Sequence, residues 1–413
     1  MNAPHADCDA RIAALRSEAD HRFGRFIRER VNPGADERDR LCQALPRDLL
    51  EEAGRLGLLG FSLPREIGGE GRDKFEWGIV VQEVAQISRD PAFSSMMDLN
   101  AGVAELFVTA RPELAGRYAA PMAAGRLVCP PAAYESRDPF DYLTTASQRG
   151  DVWVLDGTKP LIGGALIADA FLVYAKDTES SDILAFVIER DDRGVRVDPV
   201  STMGLHSMGF GSLTLSRVHL REDRLVVEAD ALSTMNGYLR NRRVMTACAV
   251  VGHMRALFDD CLLALEDRQR SGRSLLEFPN VQRTVGEMYV ALEGSQAIVH
   301  HALAKIDGAR DQFFDPIAMA AKQFVAEQAI KMGMAVMNLH GGQGYMSQHP
   351  WERFMRDALS LVGGQGAQEL LLIQLGQHLS LEPCPYSHPS RANDDSIAEE
   401  RPASSCHAST ASS

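Results

Sequence analysis

The sequence predicts an α+β multidomain fold, with an N-terminal α-helical domain, a middle β domain and a C-terminal four-helix bundle in succession. Three observations predict it. Apolar residues recur at three- and four-residue spacing up to about residue 125. Between about 128 and 227 they fall instead in short runs rich in Val, Ile, Leu and Phe, separated by Gly, Asp or Ser. From residue 238 onward the helical period returns in four long segments, as in an antiparallel bundle. The boundaries read from these shifts are 9–125, 126–235 and 236–380, followed by a tail over 381–413.

In the first region, RIAALRSEADHRFGRFIRERV and LCQALPRDLLEEAGRLGLLG each present one apolar face. Gly60 and Pro64 stop the second helix, and Ile67-Gly68-Gly69-Glu70-Gly71 reads as a loop. An amphipathic helix is expected over 75–87 and a smaller one around 94–108. Strands are expected over 152–155, 170–175, 183–188, 195–197 and 213–220, and bundle helices over 243–268, 281–306, 315–339 and 367–379. The tail is rich in Pro, Ser, Ala and charge and nearly free of large apolar residues, the composition of a disordered segment.

At 413 residues with 45% hydrophobic and 24% charged residues, the chain has ample material for a large core. A net charge of −13 argues against nucleic-acid and anionic-membrane partners, which call for clustered Lys and Arg. The seven cysteines are scattered, with no CxxC pair or Cys/His cluster at metal spacing, so neither a zinc site nor a disulfide framework is expected. His300 and His301 are adjacent on a helical run and point about 100° apart, which disfavours joint metal binding. The polar N-terminus lacks a signal-peptide apolar stretch, and no run of about 18 apolar residues offers a membrane span. The expectation is a reduced, cytoplasmic protein.

Local strings sharpen this reading. Leu58-Leu59-Gly60-Phe61-Ser62-Leu63-Pro64-Arg65-Glu66-Ile67-Gly68-Gly69 precedes the third helix, and Met203-Gly204-Leu205 precedes Ser212-Leu213-Thr214-Leu215. Most specific are Asn338-Leu339-His340-Gly341-Gly342-Gln343-Gly344-Tyr345, Pro350-Trp351-Glu352-Arg353 and Met355-Arg356-Asp357. With the domain order, these strings resemble the acyl-CoA dehydrogenase family over roughly residues 9 to 380. The resemblance implies FAD bound between β domain and bundle, with a neighbouring subunit completing the site. It also implies a glutamate that takes a proton from Cα of an acyl thioester while hydride passes from Cβ to the flavin.

The residues at the implied chemical positions depart from that pattern. The slot of the usual base holds Gln365, within Gly363-Gly364-Gln365-Gly366-Ala367, and a carboxamide accepts no proton near neutral pH. Relatives that carry the glutamate on the first bundle helix have it where this chain has Arg242, just before Arg243. Glu369 matches a structural glutamate at a helix start, and Asp98 falls where the acyl pocket is lined. The flavin-wrapping loop corresponds to Pro131-Ala132-Ala133-Tyr134-Glu135-Ser136-Arg137-Asp138. There Pro131 offers neither hydroxyl nor N–H, while Arg137 keeps a cation for a phosphate. The residues flanking the ring become Leu161 and Gly163. Arg268 and Gly272 match the element that clamps FAD from the adjacent subunit, with Ser271 and Pro279 as departures. Asn338 stands for a glutamine, and Gly341 and Gly342 keep the close backbone approach.

Each retained residue has a plainer account. Gly341 and Gly342 end a helix, Arg268 meets a surface carboxylate, His340 packs in the bundle, and Arg240, Arg242 and Arg243 form a solvated face. Against the last of these, the resemblance sets Arg243 beside the thioester arm. Three functions stay open. One is a flavoenzyme acting on a thioester, on CoA or a carrier protein, without the glutamate. The second is the same fold without FAD, catalysing cyclisation, elimination or hydration. The third is a non-catalytic partner of an active homologue. A homodimer or homotetramer is expected, burying the apolar runs 318–321 and 329–335.

Overall fold

The computed structural model describes residues 3–135, 142–307 and 314–381; Arg137 and the tail beyond Leu381 lie outside the described residues. Residues up to Gln368 form one compact unit, and Glu369 begins a second.

The N-terminal helices are α1 (Ala3–Ala19), α2 (Ala35–Arg40), α3 (Arg47–Arg55), α4 (Lys74–Ile87), α5 (Pro91–Ala110), α6 (Pro112–Ala115) and α7 (Ala119–Ala123). The helix expected across 41–60 is shorter than its apolar period suggested. Pro46 sits extended (φ −60°, ψ 137°) and α3 starts only after it, since proline cannot donate into a preceding turn. The smaller helix expected near 94 is instead the 20-residue α5, begun by Asp90, whose side chain accepts from Ala92 N.

The middle region carries β1 (Pro131–Ala132), β2 (Thr145–Arg149), β3 (Val152–Ile162), β4 (Ala170–Asp177), β5 (Ile183–Glu189), β6 (Val195–Pro199), β7 (Gly211–Arg221) and β8 (Leu225–Val227). They form one sheet in the order β6-β7-β3-β2-β4-β5-β8, with β1 beside β4. Among the described residues, only β1–β4 and β2–β4 are parallel. The polar TASQR of β2 gave no hydrophobic signal, because its alternation holds a single apolar residue, Ala146. One face of the sheet packs around Trp153, Phe171, Phe186 and Leu213.

The C-terminal region comprises α8 (Ala231–Asp267), the short β9 (Gln269–Arg270) and β10 (Arg273–Ser274), α9 (Pro279–Ile306), α10 (Pro316–His340), α11 (Pro350–Leu359) and α12 (Gln368–Leu381). The 37-residue α8 begins twelve residues before the expected start. Its first turns, Ser233, Thr234, Asn236 and Gly237, show no apolar period, yet Asp230 caps them through Ser233 N. α8 lies against α4 where Gly252 removes a side chain: a Cβ there would sit 2.2 Å from Gln82 O. The runs 318–321 and 329–335 are mostly buried inside this same core, with Ala318, Ala321, Ala329 and Met332 at 1% exposure or less. Of the two runs, the second keeps an outward edge, with Lys331 and Met334 exposed. Large apolar side chains left outside on α8, α9 and α10 are Leu263, Tyr289, Val290, Phe324 and Met334.

Candidate functional site

One stretch of α8 organises the candidate site. Its three neighbouring arginines do not form a solvated face: Arg240 and Arg242 are buried, and Arg243 is half-buried. Arg243 Nε donates to the carbonyl of Gln365 at 3.0 Å. Lys322, buried on α10, donates to Leu361 O at 2.8 Å and Gly366 O at 2.9 Å. Two cations thus hold the turn that carries Gln365, which adopts a left-handed backbone (φ +53°). The carboxamide Oε1 of Gln365 is buried without a hydrogen-bond partner. Burial lowers Arg243 to about 10, partly opposed by Asp315. Burial, with Arg243 nearby, lowers Lys322 to about 8.

On the adjoining face of α8, Arg242 forms a buried ion pair with Asp98 of α5, whose other oxygen accepts from Trp77 Nε1 at 3.4 Å. The aspartate expected at the acyl pocket is present, then, but committed to an arginine. Beside the pair opens a cleft of about 350 Å³ between α4, α5, α8 and the end of α9. Lys74 and Glu105, paired at 2.5 Å, also line it.

A second constellation gathers residues distant in sequence. Arg268, just past the end of α8, reaches Leu339 O (3.4 Å), His340 O (3.3 Å) and His340 Nδ1 (3.4 Å). The expected surface carboxylate is replaced by the carbonyls that end α10, where a cation suits the helix dipole. Asn338 is exposed one turn earlier, and His340 is buried, stacked on Trp351 at 4.1 Å. Gly341 caps α10 with φ +58° and ψ −133°, a conformation that suits only glycine. Nothing lies within 4 Å of where a Cβ on Gly341 or Gly342 would be. Arg268, Asn338, Gly341 and Gly342 therefore stand together, with open space over bare backbone.

The ring-side residues are less accommodating. Pro131 lies in β1, parallel to Leu172, Leu161 projects from β3 at 40% exposure, and Tyr134, just past β1, is 57% exposed. Gly163 packs under Met208, whose Cε would meet its Cβ at 3.1 Å. Behind them Lys159 and Glu135 form a buried pair at 2.5 Å, and burial lowers Lys159 to about 8 although Glu135 opposes it. For a flavin dinucleotide, the Arg268 and Gly341-Gly342 end fits. The ring end offers the apolar faces of Tyr134 and Leu161 and no side-chain donor from residues 131, 161 or 163.

Family models cover most of the chain: the acyl-CoA dehydrogenase N-terminal domain over 17–126, the middle domain over 136–218 and the C-terminal domain over 232–380. The chain belongs to the acyl-CoA dehydrogenase family. A 3-(aryl)acrylate reductase of Clostridium sporogenes is 25% identical over 375 residues, covering 86% of this chain and 95% of the relative. A benzylmalonyl-CoA dehydrogenase of Aromatoleum aromaticum is 27% identical over 370 residues, covering 87% and 96%. Among solved structures, the prolyl acyl carrier protein oxidase AnaB superposes with a TM-score of 0.83 at 21% identity, over 89% of this chain and 98% of that one. At that identity the likeness speaks for the fold.

Sequence reasoning overlooked Lys322, and it named Arg242 and Asp98 without joining them. A lysine inside the apolar run PIAMAAKQFVAEQAI was the available signal for the first. No signal joins residues 98 and 242, since neither spacing nor composition relates α5 to α8.

Proposed function

We propose that this protein is an acyl-CoA dehydrogenase-like flavoenzyme, an oxidoreductase that handles an acyl thioester without the family's glutamate base. The observation that carries this reading is the turn at Gln365. Its carbonyl is bound by Arg243, its ends are held by Lys322, and its side chain is a carboxamide with a buried, unpartnered oxygen. The nearby carboxylates are engaged: Asp98 with Arg242, and Asp315 with the first N–H groups of α10. Arg243 would then position the thioester arm, and Gln365 would donate to or accept from the substrate without taking its proton. FAD would be held by Arg268, Asn338, Gly341 and Gly342 at its dinucleotide end, with Arg137 as a further phosphate ligand. When bound, it supplies a redox partner for the substrate carbon. The family resemblance also supports a homodimer or homotetramer as the working form. The Clostridium sporogenes relative is a reductase and the structural neighbour AnaB a carrier-protein oxidase, so reduction and carrier-bound oxidation both lie within the family's reach.

The test is spectroscopic. The purified protein should show the absorbance bands of an oxidised flavin, and saturated acyl-CoA added without oxygen should not bleach them. Gln365→Glu restores a carboxylate that, correctly placed, contributes about 10²–10⁴-fold to proton transfer. Because Pro131, Leu161 and Gly163 also differ, the variant should still not bleach. Bleaching in the variant would show that only the base is missing. A protein that refolds with FAD present yet stays colourless would replace the flavoenzyme reading by non-redox chemistry on the thioester.

A further inference from the structure

The cleft beside Arg242 points to a substrate class, an inference that rests on the thioester reading above. α8 sets Arg242 and Arg243 about 100° apart, so the residue after the cleft arginine is the one that grips Gln365 O. Six charged residues line the cleft: Lys74, Arg240 and Arg242 against Asp98, Glu105 and Asp307. The two signs balance. Lys74 is paired with Glu105 and Arg242 with Asp98, while Arg240 and Asp307 have interactions of their own. An ionised acyl group would therefore meet no net counter-charge, and a carboxylate would sit against Asp98.

An alkyl chain fares worse, since it strips water from these groups and returns no hydrogen bond. What remains unused is donor capacity on Arg242. Its Nη1 serves Asp98 and, at 3.5 Å, Ser95 O, whereas Nε and Nη2 have no protein partner among the described residues. A guanidinium beside a carboxylate presents donor and acceptor together, and a hydroxyl matches both because it accepts from one and donates to the other. We propose that this cleft takes an uncharged, oxygen-bearing acyl group, a hydroxyacyl thioester in its simplest form, and that Arg242 with Asp98 selects it.

The full-length protein is titrated by ligand-detected NMR with pantetheine and its butanoyl, 3- and 4-hydroxybutanoyl and succinyl thioesters. Pantetheine is the arm shared by coenzyme A and carrier proteins, so the probe serves either source. One hydroxybutanoyl thioester should bind about tenfold more tightly than butanoyl, the effect of one hydrogen bond to a charged group, and succinyl no better than butanoyl. Arg242→Met with Asp98→Leu replaces the pair by apolar volume, a change that buried ion pairs commonly tolerate, and should reverse the preference. Should that variant not fold, Arg242→Lys keeps the charge without the planar fork and should cut the preference to below about threefold. Equal binding of all thioesters, tightest binding of succinyl, or a preference that survives both variants would overturn this inference and leave the thioester reading intact. If no thioester binds at all, the thioester reading falls and takes this inference with it.

Discussion

Gln365 combines a backbone region that costs a non-glycine residue about 1 kcal/mol with a buried carboxamide oxygen that no group satisfies. Neither feature helps the fold, which makes this turn a candidate functional position. Gln365→Gly removes both, so it should raise stability in urea unfolding by about 1 kcal/mol while weakening thioester binding. A destabilised glycine variant would mean that the side chain is structural after all. Asp98 shows the opposite economy. The cleft between α4, α5 and α8 contains a buried carboxylate, which Arg242 and Trp77 satisfy.

At the scale of elements, polar ties fix where the helices deliver these residues. Lys322 is the clearest case, since its ammonium joins α10 to the carbonyls at both ends of the Gln365 turn. Lys322→Met should cost about 1–3 kcal/mol and should expose the turn around 361–366 to proteolysis before the rest of the chain unfolds. An unchanged cleavage pattern would assign the turn's order to other contacts. A second tie holds α2, α5 and α11 together. Asp90 accepts from Arg38 Nε and Nη2 at 3.0 and 2.9 Å, caps α5 through Ala92 N, and meets Arg353 Nη2 at 3.4 Å. Asp90→Ala leaves buried Arg38 without its carboxylate, while Arg353 keeps Asp39 and Asp357, and a loss of about 3–5 kcal/mol is expected in denaturant titration. α11 is amphipathic in an unusual sense: Arg353 and Asp357 are among the residues it buries, alongside Trp351. Asp357 accepts from Leu205 N at 2.6 Å and so docks α11 onto the segment between β6 and β7.

For the whole molecule, buried titratable groups set the pH response. Burial holds His253 at about 3 and His300 and His340 at about 4, with neighbouring arginines adding to the effect. The unfolded chain protonates these rings below about 6.5 while the native chain does not, so their contribution is present above 6.5 and lost as pH falls. Asp357 works in reverse. Burial raises it to about 6, so its contribution is present below the ordinary carboxylate range and lost as pH rises through 6. Three histidines outweigh one aspartate, and Tm should fall between pH 7 and 5. His253→Asn, which cannot take a proton, should make that decline shallower; an identical slope would remove His253 from the account.

Association belongs to this scale too. Val290 is 71% exposed beside a groove between α9 and α10 that Phe324 also lines, and Tyr289 and Leu263 extend the apolar surface. Light scattering at micromolar concentration should report a dimer or tetramer, and Val290→Glu should shift it toward monomer. A monomeric wild type would disconnect Arg268 from any shared flavin site.

Much of this protein was determined by sequence alone, wherever the physics is periodic or local. Helical period placed α4, α9 and α10 to within a residue or two, because apolar residues recur at three- and four-residue spacing along each. Short apolar runs placed β4 and β5, which are buried on nearly every residue, and the Asn338-to-Tyr345 string located the turn after α10 through glycines that only that backbone requires. The absence of a carboxylate at residue 365 was equally legible, since it needs only the identity of one side chain. What tertiary structure alone decided are the partnerships. Arg242 reads as a surface charge until α8 is laid against α5, and Ala318, Ala321, Ala329 and Met332 read as part of an association face until they are seen inside their own core. β2 and α11 escaped because their pattern is polar and their order comes from partners on either side. The physical reason is common to all of these: solvation, ion pairing and burial are properties of a place, and the chain defines a place only once remote segments converge.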